Sequence, residues 1–595
     1  MQTWHHRSNA GGCGSRVDPG RHCRQLEQPS LFLAYFDMID IPVLIVGGGP
    51  SGLMLANELG ARQTPCLLVD AKPSTAFNPQ ANATQARTME HYRRHGFAHE
   101  IRARGLPSDH PTDIAYFTRL CTYELARLSL PTAAQAVSNI RNMSGSWSAA
   151  ELPHRISQKY VEPVMRRHAE KWPGVDIRFG WTLTRFEDQG THVEAWIQPT
   201  EGSQPEVMVR ARHLVGADGP RSGVRHQLGI GYEGATGMKR GYMGGQMFAV
   251  YFRSPEVYAR IPHGRAWMYV AVNAERRALL ASVDGVSEFA FHAAIHEGER
   301  AEEWTAADAR RIVHQVMGCE IDMEVLSVQT WTAGHALVAQ SLARGRVFLI
   351  GDAAHLFTPT GGLGYNTGVE DAVNLGWKLA AVHHGQAPEA LLGSYASERK
   401  PIAQRNTGYS RHFADSVGLF PATELLEQDS PAGEAERARA SEHLNAHVRL
   451  EFNIPGVTFG GRYDGSPVIV SDGTTPPADH PNVYQPTPTP GGRPPHAWLA
   501  DGQSLFDRLG LGWSLLVLSP PEGPHGSVDS EVTALQAAAA SRGVELQVVC
   551  LSEPGLLALY EAPLTLIRPD HIVAWRGQHA NDATAVIDQV LGWQL

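Results

Sequence analysis

The sequence predicts an α/β protein that opens on a βαβ unit, followed by a mixed β-sheet region and a small α/β unit near the C-terminus. Three observations carry this. Residues 43–52, VLIVGGGPSG, run from an apolar stretch into a glycine cluster. A second apolar run, PCLLVD at 65–70, ends on an acid. Between them SGLMLANELGAR places Leu53, Ala56, Leu59 and Gly60 on one side of a helix. Strand, helix and strand in this order make a βαβ unit with a right-handed crossover.

The elements follow in order. Residues 1–37 show no apolar periodicity and no signal-like apolar region, so they are expected to form a disordered leader, with Met38 as an alternative start just before the first strand. Ile41–Val46 is expected as a strand and Ser51–Arg62 as a helix, with further helices near 84–104 and 157–171. From about 175 to 340 the pattern is β-rich. HLVGADG (213–219) and GRVFLIGDAAH (345–355) are buried strands running into loops, and the second loop leads to a long helix, TGVEDAVNLGWKLAAVHHG. Residues 466–496, rich in Pro, Thr and Gly, read as an extended connector. WSLLVLSP, ELQVVCL and PLTLIRPDHIVAWRG are strands separated by a helix near 529–542.

Composition narrows the function. Net charge is −10 with no compensating basic run, which argues against nucleic acid as a partner. No run of 18 apolar residues exists; the nearest, LFLAYFDMIDIPVLIV, is broken by Asp37, Asp40 and Pro42, so no membrane span is expected. The six cysteines are scattered without CxxC or metal-ligand spacing. That pattern points to inert thiols in a reducing, cytoplasmic setting and to no metal site.

Gly47, Gly49 and Gly52 form G-x-G-x-x-G between strand and helix, and Ser51 lies in the same turn. Such glycines permit the tight turn, the approach of a diphosphate and close helix packing. Asp70 ends the second strand, 18 residues past Gly52, where an acid can accept hydrogen bonds from a ribose. A plain glycine turn with a surface acid is the alternative. Two more loops follow buried strands: GADGPRSGVR, with Asp218, and GDAAHLFTPTGGLGYNTGVEDA, with Asp352, Pro359, Gly362 and Gly364. Either is read as a turn or as a second place where backbone N–H groups face an electron-rich group.

The order and spacing of these three segments resemble the class A flavoprotein aromatic hydroxylases, the family of p-hydroxybenzoate hydroxylase and phenol hydroxylase, over roughly Pro42 to Pro401. GADGPRSGVR resembles the DG motif of that family, associated with both FAD and NAD(P)H, and GDAAHLFTPTGGLGYNTGVEDAVNLGWKLA its GD motif. The tail resembles the thioredoxin-like domain of the phenol and polyketide hydroxylase branch, likewise without CxxC. The resemblance implies a p-hydroxybenzoate-hydroxylase-type fold: leader 1–37, a discontinuous Rossmann-like FAD-binding domain over 38–225 and 340–415 with part of the substrate layer inserted, a substrate sheet over 226–339, a helical segment and connector over 416–495, and a thioredoxin-like domain over 496–595. It also assigns roles. Gly47, Gly49, Ser51, Gly52 and Asp70 hold the ADP half of FAD. Arg87 reaches ribose or phosphates, Gln158 lies near the flavin chain, and Asp352 bonds the ribityl or diphosphate region. Pro359 lies by the ring, and Gly362, Leu363, Gly364, Tyr365 and Asn366 present N–H groups to its pyrimidine edge. Asp70 departs from the family's commoner Glu. His355 beside Asp352 reads as structural.

The implied activity is a monooxygenase. NAD(P)H reduces the flavin, O₂ forms a C4a-hydroperoxide, and hydroxyl passes to a small phenolic or related aromatic substrate, with a simple phenol and a larger polyketide or antibiotic both left open. A reductase without oxygen insertion, or a non-catalytic flavin binder, are the competing classes; a homodimer is left open. No catalytic residue is named. Alternation places Met247, Ala249 and Tyr251 on one face of one strand and Trp267, Tyr269 and Ala271 on one face of another, so Tyr251, Tyr269 and His263 are the candidates for substrate contact.

Overall fold

The computed structural model describes residues 38–202, 204–238, 240–300, 303–520 and 528–595; the leader expected over 1–37 lies outside them. The first sheet has five parallel strands in the order Val347–Leu349, Val207–Gly216, Ile39–Val46, Cys66–Asp70 and Val175–Phe179. Val43–Val46 and Cys66–Val69 are fully buried, as interior parallel strands covered on both faces require. The register brings the carboxyl ends level: Val46 lies opposite both Gly216 and Val69, and Gly216 opposite Leu349. Each glycine- or acid-bearing loop therefore leaves the sheet at one edge, where ligands of open α/β sheets bind. Helices Pro50–Ala61 and Leu363–His383 begin at that edge.

A second sheet of seven strands runs Glu324–Ala333, Gly245–Arg253, Glu288–Ala294, Ala278–Ser282, Met268–Ala271, Ile114–Phe117, Glu124–Leu128. Its pairings are antiparallel except that of Met268–Ala271 with Ile114–Phe117. Both faces are buried. Phe117, Phe248, Tyr269 and Phe291 pack on helix Ala306–Met317. Tyr116, Met247, Tyr251, Trp267 and Val270 face the other way, in a cluster with Ala414 and Val417 of helix Gly393–Gly418 and Leu444 and Val448 of helix Pro431–Phe452.

Residues 513–577 form a four-stranded sheet, Leu546–Leu551, Trp513–Leu518, Leu564–Ile567, Val573–Gly577, in which the first pair is parallel and joined through helix Asp529–Ser541. Helix Ala583–Val590 follows, giving the βαβ–ββα order of a thioredoxin-like domain.

The preceding connector is extended but packed: residues 488–496 are all buried. Arg493 grips both carboxylate oxygens of Glu90, at 3.0 and 2.6 Å. Arg568 of the C-terminal domain does the same to Glu398, at 2.7 and 3.0 Å, and Lys378 joins it at 2.7 Å. The cysteines are not all isolated, since the Sγ atoms of Cys121 and Cys319 lie 2.7 Å apart.

Candidate cofactor and substrate site

The first turn needs its glycines for different reasons. Gly47 has φ +116°, and a Cβ there would lie 2.2 Å from the Ala217 carbonyl oxygen. A Cβ on Gly52 would lie 1.9 Å from the Gly47 oxygen. At Gly49 a Cβ would meet no protein atom within 4 Å, although the residue caps helix Pro50–Ala61. The space over Gly49 and the free N–H groups of that helix make a cradle for a diphosphate. Asp70 accepts from Gly48 N–H at 2.6 Å and Lys72 N–H at 2.7 Å. It thus shapes the turn, and a carboxylate retains further lone pairs for a ribose.

The other two loops meet the first. Ala217 N–H donates to the Val46 carbonyl at 2.7 Å. Asp218 accepts from Ser222 Oγ at 2.5 Å and Val224 N–H at 3.0 Å, so its carboxylate fixes the DG turn and the short helix Gly223–Gln227. Ser51 is wedged between Gly351 and Gly368: a Cβ on either would stand 2.5 Å from its Oγ.

Beneath the GD loop, Asp371 accepts from Gly351 N–H at 3.1 Å, His355 Nε2 at 2.6 Å and Arg399 Nε at 2.8 Å. Burial opposes its ionisation, yet His355 and Arg399 hold its carboxyl below the usual range. His355 is structural, as the sequence suggested, and Asp371 is the partner the sequence did not reveal. Asp352 differs: its carboxylate accepts no hydrogen bond from any described residue. Its side chain is open to solvent, and the protein packed around it raises its pKa.

Gly361 (φ +71°) and Gly362 (φ +64°) turn the chain into helix Leu363–His383, so the expected ring-edge stretch is a helix start. Its first N–H groups have no intrahelical acceptors. The turn is held from outside by Gln85 Nε2 to the Gly361 carbonyl at 2.8 Å and by Glu451 to Gly361 N–H at 3.0 Å. Asn366 uses its side chain on Gln85 N–H and on the Ala83 and Gly362 carbonyls. The Tyr365 hydroxyl bonds that of Tyr92. What these two can offer the cleft is backbone. Pro359 is exposed beside them.

Arg87 and Gln158 have partners of their own. Arg87 is buried and donates to Glu90 and to the carbonyls of Asp570 and His571, the latter two at 2.9 Å. In this arrangement it ties the C-terminal domain down. Gln158 opens helix Gln158–Ala169 and donates to Glu162 at 2.6 Å.

The substrate candidates separate. Tyr251 lies on the inner face of the second sheet, bonded to Glu288 and receiving Lys159 Nζ at 2.5 Å. Burial and Glu288 raise its pKa, so it is a neutral phenol. Tyr269 is a correction: it sits on the opposite face, its hydroxyl accepting from Ala266 N–H at 2.7 Å. His263 lies in an exposed loop with Nε2 2.7 Å from the Thr122 carbonyl. The reason is phase. The strand begins at Met268, so Trp267 precedes it and turns inward while Tyr269 points outward.

Among the described residues no group of three or more His, Cys, Asp or Glu could hold a metal, and no helix is long and apolar enough to cross a membrane. The open space at Gly49, the unpartnered Asp352 and the two converging helix starts fit an extended dinucleotide with a ring at its far end.

Comparison with known proteins agrees. Residues 40–410 match the family described as FAD binding domain, and residues 487–593 the one described as aromatic-ring hydroxylase, C-terminal. The tetracenomycin B2 monooxygenase-dioxygenase of Streptomyces olivaceus is 33% identical, covering 93% of this chain and 98% of its own. The FAD-dependent monooxygenase apdD of Emericella nidulans is 30% identical, over 93% and 90%. Among solved structures, the rebeccamycin biosynthetic enzyme RebC with reduced flavin superposes with TM-score 0.81 at 32% identity, over 93% of this chain and 99% of that one. A ternary complex of aklavinone-11 hydroxylase with FAD and aklavinone gives TM-score 0.76 at 27% identity, with the same coverage. The glycine turn, the DG and GD loops and the C-terminal domain thus have one explanation: the chain belongs to the FAD-dependent aromatic-ring hydroxylases, the class A flavoprotein monooxygenases.

Proposed function

We propose that this monooxygenase consumes NAD(P)H and O₂ to hydroxylate a phenolic, polycyclic aromatic compound held between the second sheet and helix Pro431–Phe452. The observation that carries the reading is the helix start at Gly362 lying between the dinucleotide edge of the first sheet and the aromatic-lined face of the second. Relatives named for tetracenomycin B2 and aklavinone support a multi-ring, polyketide-type substrate. When bound, FAD supplies the redox chemistry that moves electrons from reduced nicotinamide to O₂ and delivers one oxygen atom to the ring.

The chain's own residues do the rest. Gly47, Gly49, Ser51 and Gly52 receive the diphosphate and Asp70 the ribose; Asp352 takes a hydroxyl of the linking chain. The first N–H groups of helix Leu363–His383 favour negative charge at the rim they face. Arg87 and Gln158 would reach the cofactor with the donors that Glu90, the carbonyls of Asp570 and His571, and Glu162 leave free. The apolar inner face, with Met247, Trp267 and Val270 buried, keeps water from the reacting atoms. Tyr251, kept neutral, stays the candidate for substrate contact.

The test is a screen of mono- and polycyclic phenols for accelerated NAD(P)H oxidation, with mass spectrometry of the product. A gain of one oxygen is expected. Oxidation that yields only peroxide with every aromatic would overturn the proposal.

A further inference from the structure

We infer that Arg155 is the anchor for an anionic oxygen group on the aromatic substrate, either a carboxylate or an ionised phenol or enol; this rests on the hydroxylase reading above. Arg155 lies in the two-residue strand His154–Arg155, paired with Ala83. Ala83 abuts the helix start: a Cβ on Gly362 would stand 3.1 Å from its Cβ. The arginine is therefore one strand away from the rim where the ring belongs. Its guanidinium stands 4.6 Å from the Trp267 ring centre and 5.8 Å from that of Phe452.

Arg155 is only 6% exposed, yet it has no hydrogen bond and no ion pair with any described residue. Every other buried arginine among the described residues donates to a carboxylate or carbonyl: Arg87, Arg225, Arg240, Arg276, Arg277, Arg399, Arg493, Arg568 and Arg576. A buried, unpaired guanidinium is strongly unfavourable, and its planar fork matches an oxyanion. Burial lowers its pKa to about 10, which leaves it charged at neutral pH.

The surroundings are similarly unfilled. The hydroxyls of Tyr116 and Tyr242, both buried, have no partner among the described residues. The His447 ring stands 5.9 Å from that of Tyr116, and its Nδ1 makes no hydrogen bond. Glu451 accepts from Gly361 N–H and lies 2.9 Å from His447 Nε2; it forms no ion pair with Arg155, although its charge favours the protonated guanidinium. A cation over Trp267 and two hydroxyls without a partner thus belong to one cluster, next to the ring site. An ionised phenol held there would also be the more electron-rich form of the ring, the form an electrophilic oxygen attacks faster.

The test is titration calorimetry of the FAD-loaded protein with two matched pairs: hydroxynaphthoate against its methyl ester, and lawsone against its methyl ether. The anionic member of at least one pair is expected to bind tighter by about thirtyfold or more. Preference within the first pair identifies a carboxylate, within the second an enolate. In Arg155→Met, which keeps the contact with Trp267, the preference should vanish while flavin absorbance and occupancy stay unchanged; Arg155→Lys should keep part of it. Neutral partners binding as tightly as the anions in both pairs would overturn the inference, and this comparison needs only the native protein should Arg155→Met fail to fold. Failure to take up FAD would instead sink the hydroxylase reading. The same titrations on the apoprotein, followed by tryptophan fluorescence, would still decide the role of Arg155.

Discussion

Asp371 accepts the backbone N–H of Gly351 at 3.1 Å, so a residue inside the long helix sets the loop that carries Asp352. Removing this carboxylate leaves buried His355 without its Nε2 partner and buried Arg399 with Glu370 as its one remaining carboxylate. Asp371→Ala should cost about 3–5 kcal/mol in urea denaturation, with Asp371→Asn nearly as severe. Stability within about 1 kcal/mol of the parent would deny the carboxylate this role.

Two glycines of one motif should fail in opposite ways. A side chain at Gly49 meets no protein atom within 4 Å, so Gly49→Val should melt like the parent and bind no FAD. Gly52→Ala drives a Cβ to 1.9 Å from the Gly47 oxygen and should lower the melting temperature even of the apoprotein. Circular dichroism melts and the visible flavin spectrum read both effects. A yellow Gly49→Val would contradict the placement of the diphosphate.

The Asp352 carboxylate accepts no hydrogen bond from any described residue, and burial raises its pKa against a lesser pull from His355. A raised carboxyl pKa means the folded protein binds more protons than the unfolded chain, so this group adds stability as pH falls and subtracts it at neutral pH. Asp352→Asn should therefore melt no lower than the parent at neutral pH, while FAD affinity falls by about tenfold or more. Full flavin occupancy in a dilution series would remove Asp352 from the cofactor site.

Glu90 is buried, which disfavours its charge, but Arg493 and Arg87 pull its pKa from 4.5 to about 2. The depressed value means that the stability it contributes is complete above pH 4.5 and drains away as pH falls toward 2. Glu90→Gln should lose about 3 kcal/mol at neutral pH and show a flatter acid limb. Parallel acid limbs for the two proteins would disprove the linkage.

What the sequence revealed follows from what each feature depends on. The strain at Gly47 and the crowding at Gly52 arise within a few residues, and the three loops announce themselves as buried runs ending in glycine and acid. The parallel register, with Val46 opposite Gly216 and Gly216 opposite Leu349, then brings them together. Tyr269 was misplaced because alternation gives a face only when the first strand residue is known, and Trp267 falls one position before it. Asp371, Glu451 and Arg155 carry no local signal. Glu451 matters through Gly361, 90 positions away, and Arg155 through the partner it lacks. Arg87 was expected to reach ribose or phosphates, and only the fold shows it reaching the carbonyls of residues 570 and 571.

The grip of Arg568 on Glu398 and of Arg493 on Glu90 gives the chain from Arg493 onward a standing unlike that of a detachable module. Clipping that stretch off by protease or stop codon would leave Glu398 with Lys378 and Glu90 with Arg87 as the remaining counter-charges in the heart of the cofactor half. Grafting the tail of a distant cousin would demand that both arginines arrive in register. Chimeras cut anywhere between Gly393 and Arg493 should thus be insoluble unless both pairs travel together.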